Sequence, residues 1–175
     1  AERWADVVAA RGERTRLVLN ADDPLVADLG RGRDAHYFGV DDDRLALPEL
    51  QHASDSKHCR RCRHAYVYDA AYLAHLGHYH CPNCGRRRPD PAVVGRDVEL
   101  RGIRSAAFTL HAAGREHRVE LPLPGLYNVY NALGAAALCL SLGVELPTVA
   151  AGLGAVAPAF GRAETLDLDG RATSI

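Results

Sequence analysis

The sequence predicts an α/β fold with a mixed sheet, interrupted by an inserted four-cysteine zinc ribbon. Three observations carry that expectation. Two short apolar runs, Arg16–Asn20 and His36–Val40, flank a helix-start signal, as in a strand–helix–strand unit. Three alternating segments between Val98 and Leu121 read as antiparallel strands ahead of a strongly periodic helix. Between Asp55 and Asp90 the composition changes abruptly: this stretch holds four of the five Cys, five of the nine His and four of the seven Tyr.

Taken in order, residues 2–11 read as a short helix with Trp4, Val7 and Val8 on one face. Arg16-Leu-Val-Leu-Asn20 is a buried strand. Asp23 then fits a helix cap and Pro24 the first helical position, in a helix running to about Leu29 and closed by Gly30. His36-Tyr-Phe-Gly-Val40 is a second strand, ended by the acidic turn Asp41-Asp-Asp43. Beyond the cysteine-rich stretch, Val98–Gly102, Ala107–His111 and His117–Leu121 alternate as strands, with Ala113-Gly114 as a hairpin turn. Leu126, Tyr130, Leu133, Ala137 and Leu140 recur at steps of 4, 3, 4 and 3, one face of a helix that Gly143 ends. Pro147–Val156 is a second helix, and Leu166-Asp-Leu-Asp-Gly170 begins a further strand and turn.

Composition bounds the function. A chain of 175 residues with 47% hydrophobic and 25% charged residues can bury a real core. A formal net charge of -1 supplies no global field toward nucleic acid or an anionic membrane. No run of 18 apolar residues is present, so the chain reads as soluble, without a transmembrane segment. Among the 21 basic residues only Lys57 is lysine, which reads as coding bias. The chain lacks methionine and starts within a helix-like Ala-Glu-Arg-Trp, which predicts a fragment of a longer protein.

The strongest local signal is the pair Cys59-x2-Cys62 and Cys81-x2-Cys84, separated by 18 residues. Zinc takes four soft ligands in a tetrahedron, and a Cys-x2-Cys turn delivers two thiolates at the required angle. Two such knuckles at the ends of a hairpin, with Ala65–Tyr68 pairing against Gly77–His80, complete the site. Four thiolates leave no open position, so the metal is expected to be structural, contributing on the order of 10 kcal/mol to ordering the segment. An iron–sulfur centre, and replacement of one thiolate by His58 or His80, stay open on spacing alone. Cys139 stands apart in an apolar helical stretch.

Arg60, Arg61, Arg63, Arg86, Arg87 and Arg88 flank the knuckles and raise the question of nucleic acid, with Tyr66, Tyr68, Tyr72 and Tyr79 as stacking platforms. The preferred reading is a solvated arginine surface and a miniature aromatic core, because the rest of the chain is not basic.

Three further stretches carry a family resemblance. Leu19-Asn-Ala-Asp-Asp-Pro24, Leu123-Pro-Gly-Leu-Tyr-Asn-Val-Tyr-Asn-Ala-Leu133 and Phe160-Gly-Arg-Ala-Glu164 stand in the order and spacing seen in Mur ligases, ATP-dependent amide-forming enzymes of peptidoglycan synthesis. The ribbon stretches Ala53–Cys59 and His75–Gly85 are similar to those of the family's lipid II-amidating synthetase subunits, and the resemblance covers nearly the whole chain. It implies a fragment of the central ATPase domain. Residues 1–54 and 91–160 would form that domain, 55–90 the inserted ribbon, and 161–175 a hinge and the start of a C-terminal domain. It also implies that Asn131 contacts adenine with Asn128 in support, and that Arg162 reaches the ATP phosphates. On the residues alone, both asparagines read as helix caps and Arg162 as a surface arginine in a turn. Asp22 and Asp23 end a strand where open α/β sheets place ligands, yet turn and cap formation explains them better.

No Gly-x-x-x-x-Gly-Lys-Ser/Thr loop occurs, so nothing here cradles ATP phosphates or seats Mg²⁺, and the fragment alone is expected to catalyse nothing. For the intact protein the resemblance implies ATP and Mg²⁺ as cofactors, lipid II as substrate and a GatD-like glutaminase as partner. Its place would be the cytoplasm, near the inner face of the membrane. The competing expectations are a zinc-ribbon module binding nucleic acid or protein, and a purely structural scaffold.

Overall fold

The computed structural model describes residues 2–12, 14–48 and 56–157, together with the backbone of two strands at 165–168 and 171–174. The chain divides into two compact units, 1–94 and 95–175.

In the first unit, helix α1 (Glu2–Ala9) leads to strand β1 (Leu17–Asn20), the short helix α2 (Pro24–Ala27) and strand β2 (Ala35–Val40). Trp4 and Val7 point outward from α1, so the expected apolar face is only partly covered, through Ala5 and Val8. Arg33 holds the end of this helix by donating to the carbonyls of Val8, Arg11 and Gly12. β1 and β2 run parallel, in register from Leu17 opposite Ala35 to Asn20 opposite Phe38. The start of α2 follows the sequence expectation: Asp23 Oδ1 accepts from the N–H groups of Leu25 (2.8 Å) and Val26 (3.2 Å), with Pro24 in the first turn. The helix is shorter than expected, giving way to a 3₁₀ turn over Asp28–Gly30.

Strands β3 (Val67–Leu73) and β4 (Leu76–His80) form a separate antiparallel hairpin. β3 starts two residues later than the alternation at Ala65–Tyr68 suggests and continues to Leu73. Register shifts between Tyr68 and Ala70, and again between Ala71 and Leu73, break the period of two and hide the strand from its pattern.

Strand β5 (Val93–Arg101) runs from the last residues of the first unit into the second, followed by β6 (Ser105–Ala112) and β7 (Arg115–Leu121). β1 and β2 of the first unit pair parallel, and β6 and β7 of the second pair antiparallel, so parallel and antiparallel pairing are both present as expected. Ala113 and Gly114 turn the β6–β7 hairpin with φ of 50° and 72°. β5 begins five residues before the expected strand at Val98, because Asp97, at φ 47°, imitates a turn inside the strand.

Helix α3 (Leu126–Ser141) packs against β6, and α4 (Leu146–Gly154) against β7 and α3. The buried face of α3 contains Leu126, Tyr130, Leu133 and Ala137 as the periodicity requires, with Val129, Ala132 and Ala136 beside them. Phe108, Leu110, Val119, Leu121, Val129 and Leu133 are fully buried in this unit. Removing such a side chain from water is worth about 1.5–3 kcal/mol each, which makes this layer the main support of α3. Two further strands, β8 (Thr165–Leu168) and β9 (Arg171–Ser174), pair antiparallel. Arg162 and its motif at 160–164 lie outside the described residues.

Candidate functional site

The four cysteines of the two knuckles converge. Their Sγ atoms all lie within 4.8 Å of one another, with Cys59 to Cys84 at 3.6 Å and Cys62 to Cys81 at 3.5 Å. A tetrahedron with 2.3 Å zinc–sulfur bonds has sulfur–sulfur edges of about 3.8 Å, so the donor set and its dimensions fit zinc. Among the described residues this is the one His/Cys/Asp/Glu cluster with such geometry, and no histidine joins it.

The knuckles share one backbone plan. Cys59 N–H donates to His64 O (2.8 Å) and Arg63 N–H returns to Cys59 O (2.8 Å). Five residues span the second loop in the same way: Cys81 N–H to Arg86 O (2.6 Å) and Gly85 N–H to Cys81 O (3.0 Å). The fourth residue after each first cysteine takes a left-handed conformation, φ 61° at Arg63 and 71° at Gly85. Burial raises the Cys59 thiol, but the N–H groups of Cys62 and Arg61 and the Tyr66 hydroxyl outweigh it and lower its pKa to about 6. At Cys62, the Asn83 side chain and the His64 N–H lower the pKa. Cys84 goes the other way. The Arg86 N–H favours its thiolate, but burial and the three neighbouring sulfurs carry its pKa up to about 11. A divalent cation bound here therefore displaces protons, which couples affinity to pH.

Beneath the sulfurs lies a small aromatic core. Tyr66 and Tyr79 are buried and meet edge-on at 5.0 Å between ring centroids, with Tyr68 tilted against Tyr79 at 6.0 Å. Tyr72 is buried as well, its ring set edge-on to His78. The tyrosines thus fill the interior of the ribbon instead of offering stacking faces.

How the ribbon is held is a feature that sequence reasoning missed. Asp22, just past the end of β1, is fully buried and meets the ribbon with both backbone and side chain. Its carbonyl accepts from Gly77 N–H (3.0 Å), and its Oδ1 accepts from Arg88 Nε (2.5 Å). Its Oδ2 accepts from Val40 N–H (2.8 Å). Val40 O in turn accepts from Arg88 Nη2 and lies 3.0 Å from His78 Nε2, which must carry a proton to bond a carbonyl. Gly39 makes this closeness possible, since a Cβ there would stand 2.5 Å from Asp22 Oδ1 and 2.7 Å from Arg88 Nη2. Next door, His75 Nε2 lies 3.1 Å from Asp23 Oδ2. Burial raises the pKa of Asp23, but His75 and the two capping N–H groups prevail and hold it below the usual carboxylate value. Arg86 adds an ion pair to Asp28 at 2.9 Å. The expected roles stand, Asp23 as the cap and Asp22 within the turn, but Asp22 is in addition a buried ion-pair partner.

On α3 the two asparagines are neighbours. Asn128 Nδ2 donates to Pro124 O (2.7 Å) and Asn131 Nδ2 to Asn128 Oδ1 (3.4 Å). Neither caps the helix in the usual sense, because the N-cap is Gly125, without a side-chain bond. Asn128 braces the Pro124 turn and Asn131 is exposed.

No family model matches the chain. Its architecture is nevertheless Mur ligase-like. It superposes on a pseudomurein peptide ligase type C from Methanothermus fervidus with a TM-score of 0.78 at 33% identity, covering 94% of this chain and 31% of that one. On MurF from Acinetobacter baumannii it covers 96% of this chain and 27% of that one, with a TM-score of 0.59 and 19% identity, a likeness of fold alone. Among curated relatives, the chain is 31% identical over 153 residues to the MurT subunit of lipid II isoglutaminyl synthase from Streptococcus pneumoniae, which is 87% of this chain and 33% of the relative. The MurT subunit of Staphylococcus aureus is 28% identical over 148 residues, 83% of this chain and 31% of the relative. A diaminopimelate-adding ligase of Geobacillus kaustophilus is 49% identical over 61 residues, 35% of this chain and 12% of that protein. The chain thus spans a third of the length of the MurT relatives it matches.

Proposed function

We propose that the intact protein is an ATP-dependent carbon–nitrogen ligase that amidates the D-Glu α-carboxylate of lipid II to D-isoglutamine, with ammonia from a GatD-like glutaminase. The carrying observation is coverage. Similarity to MurT extends over 153 of the 175 residues, a length that takes in both the four-cysteine segment and the asparagine pair. Similarity to the diaminopimelate-adding ligase stops at 61 residues. In the proposed reaction the carboxylate takes the γ-phosphoryl group of ATP, releasing ADP. Ammonia then attacks the acyl phosphate, and phosphate leaves as the amide forms.

In this reading residues 1–54 and 91–160 belong to the ATPase domain, 55–90 to the ribbon, and 161–175 to the hinge and the start of the next domain. Cys59, Cys62, Cys81 and Cys84 hold one structural Zn²⁺. The exposed Asn131 carboxamide offers a donor and an acceptor suited to an adenine edge, and Asn128 holds it in place through their mutual bond. Arg162 is assigned to the ATP phosphates, since a guanidinium fork matches a phosphate oxygen pair. Mg²⁺ and the phosphate-binding loop belong to other parts of the intact protein, so the chain alone is inactive. The reaction takes place at the cytoplasmic side of the membrane that bears lipid II. Among the described residues no helix is long and apolar enough to cross a membrane.

The test is ATP- and glutamine-dependent amidation of lipid II by the full-length protein with its neighbouring glutaminase-like subunit. Comparison is with Asn131→Ala and Arg162→Ala. A sharp fall in both variants is the expected result. Full activity in both discards the two nucleotide contacts, and an inactive wild type discards the ligase reading.

A further inference from the structure

The basic residues around the four-cysteine cluster fall into two groups with opposite fates. After the second knuckle two of the three arginines are held: Arg86 pairs with Asp28 at 2.9 Å and Arg88 with the buried Asp22 at 2.5 Å, their side chains 15% and 14% exposed, while Arg87 between them is exposed. Those around the first knuckle are displayed. Lys57, Arg61 and Arg63 are exposed, and among the described residues none of them meets a carboxylate. From Ser56 to Tyr68 the chain contains no acidic residue, and Lys57, Arg60, Arg61 and Arg63 fall within seven positions. Arg60 alone of the four leans toward the body, lining a cleft with Asp28 and α1. A zinc tetrathiolate is doubly negative and would absorb part of this charge. Four fixed cations exceed it.

We infer that the first knuckle is a docking surface for an anionic phospholipid bilayer, presenting Lys57, Arg61 and Arg63 to lipid phosphates while the second knuckle anchors the ribbon to β1 and β2. The inference rests on the proposed action on a lipid-linked substrate. Two observations favour a bilayer over nucleic acid. The ribbon tyrosines face inward, so no stacking platform accompanies the cations. The apolar side chain exposed next to the patch is Val67, which suits an interfacial region better than a base. A protein partner fits less well, because the centre of a protein interface is built on apolar and aromatic anchors that this loop lacks.

The experiment is co-sedimentation of the full-length protein with vesicles of phosphatidylcholine alone or with 30% phosphatidylglycerol (about that fraction being enough to set a negative surface potential). Lys57→Gln/Arg61→Gln/Arg63→Gln is compared with a control that removes equal charge elsewhere, Arg3→Gln/Arg14→Gln/Arg104→Gln. Each cation near an anionic surface strengthens partitioning about fivefold, so the knuckle variant is expected to bind the anionic vesicles on the order of a hundredfold more weakly, and the control to bind like wild type. Binding should also fall as salt rises. Retained metal content verifies that the knuckle variant is folded. Equal binding by wild type and the knuckle variant overturns the inference. So does indifference to phosphatidylglycerol, or preferential retention by a single-stranded oligonucleotide. Amidation of detergent-dispersed substrate is the separate readout. If it persists in wild type while vesicle binding is absent, the docking surface is wrong and the ligase reading stands.

Discussion

The two knuckles are built on one backbone plan and put to different uses. Both close a five-residue loop with the same two hydrogen bonds, and both place their fourth residue in the left-handed region. At that position the second knuckle uses glycine and the first arginine. The second runs on into Arg86 and Arg88, each locked to an aspartate of the first unit, whereas the first leads into exposed cations. Ligand geometry is thus a local property that both loops satisfy. Attachment is a long-range property that only the second provides.

The comparison is sharpest where symmetry is expected. Cys59→Ser and Cys81→Ser should each strip the metal and melt the ribbon, a loss on the order of 10 kcal/mol of binding-coupled order. Zinc content by atomic absorption and protection of β3 and β4 in hydrogen exchange should fall alike in both. A variant retaining full stoichiometry would show that three sulfurs suffice.

The next largest effect should be asymmetric. Arg88→Ala leaves the Asp22 carboxylate buried without its counter-charge, which costs about 3–5 kcal/mol, while Arg61→Ala stays within about 0.5 kcal/mol. Chemical denaturation reads both. Pairing Arg88→Ala with Asp22→Asn should recover part of the loss, and strict additivity would mean that the ion pair does not couple the two positions.

At the hairpin tip the contact is pH-dependent. The Asp23 pKa lies below its ordinary value of 3.8, so its contribution is complete above that value and disappears as pH falls through the lowered one. Asp23→Asn, which keeps a capping side chain, should lose that acid-range dependence while remaining close to wild type in capping. Denaturation midpoints between pH 6 and pH 2 would show it, and parallel curves would rule it out.

The smallest effect concerns the left-handed position. Arg63→Gly should stabilise the first knuckle by about 0.5–1 kcal/mol and Gly85→Ala should destabilise the second by a similar amount. Opposite shifts in zinc-chelator competition are the expected outcome.

How much of this is readable in the sequence follows the same division between local and distant. The cysteine spacing encodes its own geometry, so the cluster is legible, as are the Asp23 cap, the Ala113-Gly114 turn and the face of α3. The bounds of β3 escape because its register shifts erase alternation, and the start of β5 because Asp97 imitates a turn. Asp22 reads only as a turn residue, which it is; its ion pair stays hidden because its partner stands 66 positions away, and no local pattern announces an arginine that will arrive from the far side of an insertion. The asparagine pair is visible as a pair, but its bond to Pro124 O depends on how the chain enters the helix.

Asp22 also bears on modularity. An insertion of this kind looks removable, a cassette that a short loop could replace. Yet cutting it out would take away both Arg88 and the Gly77 amide, stranding a carboxylate in a fully enclosed position beside a glycine that leaves no room for rearrangement. A homologue that keeps the aspartate without the ribbon should therefore supply it with another buried donor. An engineer moving the ribbon to a new host would have to transplant its acceptor strand end along with it.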